Sequence, residues 1–133
     1  MAWQAYELDH IAQKLVLDAR RRDPQSLNQS HKMRLAVAYG LERFWGEHLR
    51  LQGREDSKSH YWKDTWDALH NLMKKAGVII PNDPVNPNQV NEIQAMSEKL
   101  WQLSIEDQRV AIAVLTQLCD CIVWWTQRYK ISK

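Results

Sequence analysis

An arginine and a histidine, two residue types that act on phosphate esters, lie close together in the segment ERFWGEH, residues 42–48. In a nuclease, His48 would exchange a proton with the reacting oxygen, and Arg43 would stabilise the charge on the phosphate. The alternative is a surface that binds phosphate without cleaving it. At about 100° per residue, a helix turns Arg43 outward and His48 towards its apolar side. Because the two side chains then diverge, the spacing favours the binding role.

Further basic residues surround Arg43 along the sequence. On one continuous helix, residues 32, 39, 43, 50 and 54 would form a stripe about 60° wide. Guanidinium groups pair bidentately with phosphate oxygens, and aromatic rings stack on unpaired bases. A second basic cluster occupies a predicted loop at 20–22, and a third ends the last helix. The predicted nucleic-acid contacts are Arg20, Arg21, Arg22, Lys32, Tyr39, Arg43, Arg50, Arg54, Arg128 and Lys130. A solvated basic face would produce the same pattern.

Metal chemistry has less support in the sequence. One predicted helix face carries four polar residues at spacings that could hold a divalent cation: His60, Asp64, Asp67 and Asn71. No HExxH motif and no paired Glu-x-x-His arrangement accompanies them. We therefore interpret this face as polar and solvent-exposed, and we predict no metal and no cofactor.

Composition restricts the class of protein and its compartment. The 133 residues are 44% hydrophobic and 26% charged, with four Gly and four Pro, which is typical of a single helix-rich domain spanning 1–133. The net charge is only +2, so a nucleic-acid surface requires segregation of the 18 Lys and Arg. Cys119 and Cys121 would diverge by about 200° on a helix, which favours reduced thiols and an intracellular protein. With no signal-like start and no window near about 20 apolar residues, we expect a cytoplasmic protein without a membrane span.

Apolar spacing predicts the helices that position these residues. We expect an all-α fold, an antiparallel bundle of about five helices. Ser30 is the expected N-cap of the second helix, and one of Asp56, Ser57 and Ser59 that of the third. Ser104 with Asp107 predicts a capping box for the fifth. The expected helices span residues 2 to about 19, about 30 to 52, about 57 to 76, about 87 to 103 and about 105 to 129.

Apolar residues at helical spacing predict the core. Trp66, Leu115, Leu118 and Trp125 lie at the centres of their stripes, and we expect them to be buried against one another. The expected inward positions of the fourth helix are Val90, Ile93, Met96, Leu100 and Trp101. Trp45 and Trp62 also fit inward positions. Trp3 and Trp124 fit less well, and an exposed tryptophan often marks a protein interface.

An all-helical domain with outward arginines, ending in the aromatic and basic run VWWTQRYK at 123–130, resembles the small subunit of class 1 CRISPR effector complexes. The likeness covers most of the chain as an architecture. It implies a non-catalytic protein that packs, in more than one copy, on the backbone and large subunits of a ribonucleoprotein. It also implies contact with the crRNA–target duplex or the displaced single strand. By position, the candidates are Lys32, Arg43, Arg50 and Arg54 with the cluster at 20–22.

Two alternatives belong to other functional classes. The spacing of Arg43 and His48, and that of Arg54 and His60, resembles the arginine–histidine pair of helical HEPN ribonucleases, in which the histidine would act as general acid or base. Arg54 and His60 straddle a predicted helix break. The other alternative is a small helical protein–protein adaptor with no nucleic-acid role. An RNase assay distinguishes the enzyme, and salt-dependent strand binding distinguishes the two non-enzymes.

Overall fold

The computed structural model describes residues 5–130, with side chains from residue 7 onward. All regular structure in this range is helical, which confirms the all-α prediction. Two 3-10 turns, Pro24–Asn28 and Val37–Tyr39, connect α-helices. The α-helices are α1 (Ala5–Arg22), α2 (Gln29–Ala36), α3 (Leu41–Leu51), α4 (Asp56–Lys75), α5 (Val90–Trp101) and α6 (Ile105–Tyr129).

The described range holds six α-helices, because the segment expected to form one second helix is divided at Gly40. Gly40 has φ 97° and ψ 172°, a conformation that is essentially restricted to glycine. A 3-10 turn closes α2 before this residue, and α3 begins directly after it. The segment is therefore not one continuous helix, and the stripe predicted on that assumption is interrupted at Gly40.

The predicted helix ends agree with the structure only in part. α1 continues to Arg22, so Arg20 to Arg22 lie in its last turn and not in a loop. Ser30 is buried inside α2 and does not cap it, since the chain already turns helical at Pro24. Glu55 is the N-cap residue of α4, and its side chain makes no capping bond. The predicted cap of α6 is confirmed, because Ser104 accepts a hydrogen bond from the Asp107 N–H at 3.1 Å.

One hydrophobic core runs between the helices, with α4 and α6 at its centre. Trp66, Leu115 and Leu118 are fully buried as predicted, whereas Trp125 is only half-buried. Contacts of Asp9 with Trp125 and of Gln13 with Tyr129 show that α1 and α6 run in the same direction where they meet. α3 and α4 run in opposite directions. The predicted antiparallel arrangement therefore holds for α3 and α4 but not for α1 and α6.

A buried polar junction connects three helices. The Ser30 hydroxyl lies 2.6 Å from the Tyr61 hydroxyl and 2.5 Å from that of Thr126. Burial raises the pKa of Tyr61 to about 12, so the phenol stays protonated and can donate a hydrogen bond. Beside this junction, Trp62 Nε1 donates to Gln29 Oε1 at 2.9 Å. Buried polar groups need partners, and these bonds specify how α2 meets α4 and α6.

α5 differs most from its prediction. It begins at Val90, three residues after Pro87, and Asn86 instead forms a turn by accepting a hydrogen bond from the Asn88 N–H. Met96 and Leu100 are buried, and Ile93 is half-buried. Val90 and Trp101, both expected to face inward, are exposed. The reason is that α5 packs mainly against α3, so the other helices of the described range give it little cover.

α6 is long and apolar enough to cross a membrane, with a mean hydropathy of 1.3 over its 18-residue window. This corrects the expectation that no segment approaches a membrane span. Within the fold, 39% of the window is buried, and Asp120 on this helix forms a salt bridge with Arg34 at 2.6 Å. The core helix of a soluble protein has the same composition, so α6 is compatible with a soluble protein.

Candidate nucleic-acid interface

Tyr39, Arg43 and Trp101 line one surface cleft of about 460 Å³ where the start of α3 meets the end of α5. We call this the aromatic cleft. Tyr39 is 68% exposed and Trp101 62% exposed, so both rings are open to solvent. Two exposed aromatic side chains in one concavity are unusual for a surface that only faces water. The cleft therefore has the character of a binding site.

The Arg43 guanidinium lies over the Tyr39 ring, with its Cζ atom 5.1 Å from the ring centroid. This distance is within the about 6 Å of a cation–π contact. The contact spans the break at Gly40, whose positive φ redirects the chain between the two residues. Arg43 forms no salt bridge with any residue of the described range, so its hydrogen-bond donors remain available to an anion.

Hydrogen bonds from the neighbouring helices hold Trp101 beside this pair. Ser97 Oγ, one turn before Trp101, donates to Glu42 Oε2 at 2.9 Å and so attaches α5 to the first turn of α3. Leu100 is buried next to Trp101. Gln108 Nε2 donates to the Leu103 carbonyl at 2.8 Å and fixes the turn between α5 and α6. Trp101 is a site residue that sequence reasoning missed, because its apolar spacing placed it in the core.

Arg50, another member of the predicted stripe, is paired with an acidic residue. Arg50 donates to both carboxylate oxygens of Glu47 at 2.8 Å, and this hydrogen bonding raises the pKa of Arg50. A hydrogen bond from Lys58 lowers the pKa of Glu55, and the charges of Lys32 and Arg50 act in the same direction. The guanidinium of Arg50 is therefore already occupied by a carboxylate.

The cluster at the end of α1 is divided between free and paired arginines. Arg20 is exposed and has no salt bridge among the residues described. Arg21 pairs with Asp18 and Arg22 with Asp64, each at 3.1 Å. Arg22 therefore connects α1 to α4. Of the three arginines, only Arg20 has no carboxylate partner in the described range and can pair with an external anion. Arg54, exposed in the turn after α3, has no salt bridge in residues 5–130 either.

The C-terminal cluster forms a separate surface. Arg128 Cζ lies 5.5 Å from the centroid of the Trp125 ring, which in turn stacks on Tyr129. Lys130 follows α6 and is exposed. Trp124 on the same helix is 57% exposed, as its position off the apolar stripe predicts. Trp3 lies outside the described residues. The predicted cations thus come from the end of α1, from α2, from α3 and the turn after it, and from the end of α6.

His48 lies on the opposite side of α3 from Arg43. It is 7% exposed, and its Nδ1 atom donates to the Trp45 carbonyl at 2.5 Å. Burial lowers the pKa of His48, with a further decrease from the charge of Lys63, so the ring is neutral near neutral pH. The divergence of Arg43 and His48 inferred from the sequence is confirmed. Arg54 and His60 lie on either side of the break before α4.

The polar face of α4 forms ion pairs and hydrogen bonds. Asp64 binds Arg22, while Asp67 accepts hydrogen bonds from Lys63 and Asn82. Nowhere in the described residues do three or more His, Cys, Asp or Glu side chains gather as a metal site requires. Burial raises the pKa of Cys119 to about 12 and that of Cys121 to about 11, so both thiols stay protonated and weakly nucleophilic at neutral pH.

Comparison with known proteins does not assign the chain to a family. No protein-family model, no curated protein and no solved structure matches it significantly.

Proposed function

We propose that this chain is a non-catalytic, cytoplasmic small subunit of a class 1 CRISPR effector complex. In this role it packs on the backbone and large subunits, in more than one copy, and supports the crRNA–target duplex or the displaced single strand. The observation that carries the nucleic-acid role is Arg43, which is exposed, lies over Tyr39 and has no acidic partner in residues 5–130. A cation beside an exposed ring suits a phosphate next to a base.

Other features of the fold support the same proposal. Arg20, Lys32, Arg54, Arg128 and Lys130 are exposed without salt bridges inside the described range, so they are available to phosphates. The exposed ring of Trp124 offers a contact to a neighbouring protein subunit. The all-helical fold and the run at 123–130 are the features that resemble the CRISPR small subunits.

The nuclease alternative has less support from the geometry. A general acid or base must reach the reacting oxygen, and His48 is buried with one ring nitrogen bonded to the backbone. An RNase assay with purified wild type and His48→Ala tests this alternative. Cleavage by the wild type that disappears in a folded His48→Ala variant would replace our proposal with the nuclease.

Arg43 and Arg50 provide a matched pair for testing the binding role. Both are exposed on α3, seven positions apart, but only Arg50 is paired bidentately with a carboxylate. We expect Arg43→Ala to weaken single-strand binding and to reduce the salt slope of the affinity by about 0.7, the value for one lost phosphate contact. Arg50→Ala should have a smaller effect. Equal effects of the two variants would contradict the assignment of Arg43.

The CRISPR role itself is tested by purification from the native host. An affinity-tagged chain should recover backbone and large effector subunits together with crRNA. Recovery of protein partners without any nucleic acid would favour the helical adaptor. The isolated chain should then show no salt-dependent binding to nucleic-acid strands.

A further inference from the structure

The structure places Trp101, a residue outside the predicted basic groups, in the same cleft as Tyr39 and Arg43. We propose that the aromatic cleft holds an unpaired base of a single strand against Tyr39 and Trp101, while Arg43 binds an adjacent phosphate. This inference rests on the proposed nucleic-acid role and specifies its ligand as single-stranded.

The cleft is large enough to admit a planar ring. Tyr39 and Trp101 are not in ring contact with each other, although both line the same cleft in the described part of the chain. The volume of about 460 Å³ is within the range of about 300–1,000 Å³ found for small-molecule pockets. A planar group that enters the cleft can therefore cover exposed parts of the Tyr39 and Trp101 rings, beside the part of Tyr39 that Arg43 covers.

Arg43 gives the cleft one group that can bind an anion. It has no carboxylate partner in the described range, and the Glu42 carboxylate, which also lines the cleft, accepts a hydrogen bond from Ser97 of α5. A purely apolar protein segment would bury the rings but would leave the guanidinium without a counter-charge. A nucleotide supplies both a ring face and a phosphate, so it satisfies both kinds of group at once.

A single strand fits this site better than a duplex. Base pairing and stacking cover both faces of a base inside a helix, whereas an unpaired base can leave the stack at a moderate cost. Stacking on an aromatic side chain contributes about 1–3 kcal/mol per base and tolerates any sequence, since every base has a π-face. We therefore expect a preference for single strands with little sequence dependence.

The test compares three ligands with the same protein: a short oligo-uridine, an abasic strand of equal length, and a blunt duplex. The abasic strand keeps the phosphates but lacks the bases. Wild type should bind oligo-uridine most tightly, and Trp101→Ala should weaken that binding by roughly 5- to 150-fold, the fold-change that matches one lost stacking contact. The same variant should leave binding of the abasic strand unchanged, and Trp101→Phe should recover most of the affinity.

Trp124→Ala is the matched control, because Trp124 is similarly exposed but lies on α6 away from the cleft. It should leave the affinity for oligo-uridine unchanged. Both tryptophans are exposed, so both alanine variants should keep the thermal midpoint of the wild type and remain folded.

The outcomes separate this inference from the proposed function. If Arg43→Ala weakens binding and Trp101→Ala does not, the chain binds phosphates and the stacking site is wrong. If wild type binds the abasic strand as tightly as oligo-uridine, the stacking site is also wrong. If Trp101→Ala reduces only association with protein subunits, the cleft is a protein interface. Absence of binding to any strand at low salt would overturn both the stacking site and the nucleic-acid role.

Discussion

The helices α4 and α5 both carry tryptophan, but their surroundings differ. α4 lies among α1, α2, α3 and α6, and its Trp62 and Trp66 are buried. The indole N–H of each finds an acceptor, Gln29 Oε1 for Trp62 and the Pro81 carbonyl for Trp66. α5 packs mainly against α3 and leaves Trp101 exposed at the rim of a cleft.

This difference separates two uses of the same side chain. A tryptophan surrounded by helices contributes its buried area to the free energy of folding. A tryptophan on a helix with one neighbour keeps that area exposed, so the area is available to a ligand. The number of neighbouring helices, and not the apolar spacing, distinguishes the core of this protein from its candidate site.

The largest expected difference is in the free energy of unfolding, when one tryptophan of α4 and one of α5 are each replaced by alanine. Trp66→Ala should lower the free energy of unfolding by about 3–5 kcal/mol, because it removes a fully buried ring. Trp101→Ala should change it by no more than about 0.5 kcal/mol. Urea denaturation followed by circular dichroism measures both values. Similar losses for the two variants would mean that Trp101 is part of the core.

α6 allows the same comparison within one helix. Leu118 is fully buried and Ile105 is exposed. Leu118→Ala should cost about 2–5 kcal/mol, since the cavity it leaves lies between well-packed helices. Ile105→Ala is the control and should have little effect on the urea midpoint. A small loss for Leu118→Ala would contradict the orientation of α6.

Gly40 connects the packed part of the molecule to the cleft, and its substitution should have an intermediate effect. Gly40→Ala should destabilise the fold by about 1–3 kcal/mol, because its backbone conformation is strained for any other residue. Apart from the adjacent residues, no atom lies within 4 Å of the added Cβ, so the cost comes from the local backbone conformation and not from a clash with packed neighbours. Gly46→Ala, within α3, is the control and should stabilise by about 0.4–1 kcal/mol.

The predicted effect of Gly40→Ala extends to binding. Since Gly40 lies between Tyr39 and Arg43, a change of its backbone should also weaken oligo-uridine binding under conditions where the variant is folded. Thermal unfolding and strand binding measure the two effects. A Gly40→Ala variant as stable as the wild type would show that the break between α2 and α3 does not depend on this conformation.

The smallest expected effect concerns pH and the buried side of α3. Burial lowers the pKa of His48 below its ordinary value of 6.5, so the unfolded chain binds a proton that the folded chain does not. The contribution of His48 to stability is therefore complete above pH 6.5 and decreases as the pH falls below that value. His48→Asn, whose amide can still donate to the Trp45 carbonyl, should reduce this dependence.

Exposed His31 provides the control for this measurement. His31→Asn should leave the dependence of the urea midpoint on pH as in the wild type. Equal slopes for wild type and His48→Asn between pH 7 and about pH 5 would show that burial of His48 does not contribute to the pH dependence of stability.

The core was largely predictable from the sequence, and the candidate site was only partly so. Periodicity identified the buried residues of α3, α4 and α6, because each of these helices has one dominant apolar side. It also separated outward Arg43 from inward His48, since both belong to α3. Side chains within one short helix keep a relative direction that depends only on local geometry.

Relations between helices were not predictable in this way. A single glycine at position 40 interrupts the expected helix between Tyr39 and Arg43. The pairing of Arg50 with Glu47 occupies a cation that the pattern counted as free. The sequence predicts a loop for the arginines at 20–22, yet they lie in the last turn of α1, and Arg22 forms a salt bridge with Asp64 of α4. These relations depend on the conformation of a turn, or on which carboxylate lies within about 4 Å of a basic group.

By itself, the sequence determined that the described chain is all-α, which of its helix faces are apolar, and that His48 lies on the buried side of its helix. Those features follow from side-chain chemistry repeated at the helical period. Only the tertiary structure decided that α5 packs mainly against α3, that Trp101 remains exposed and that it meets Tyr39 and Arg43 in one cleft. The physical reason is that burial is shared between helices, so the exposure of a residue depends on partners far away in the chain.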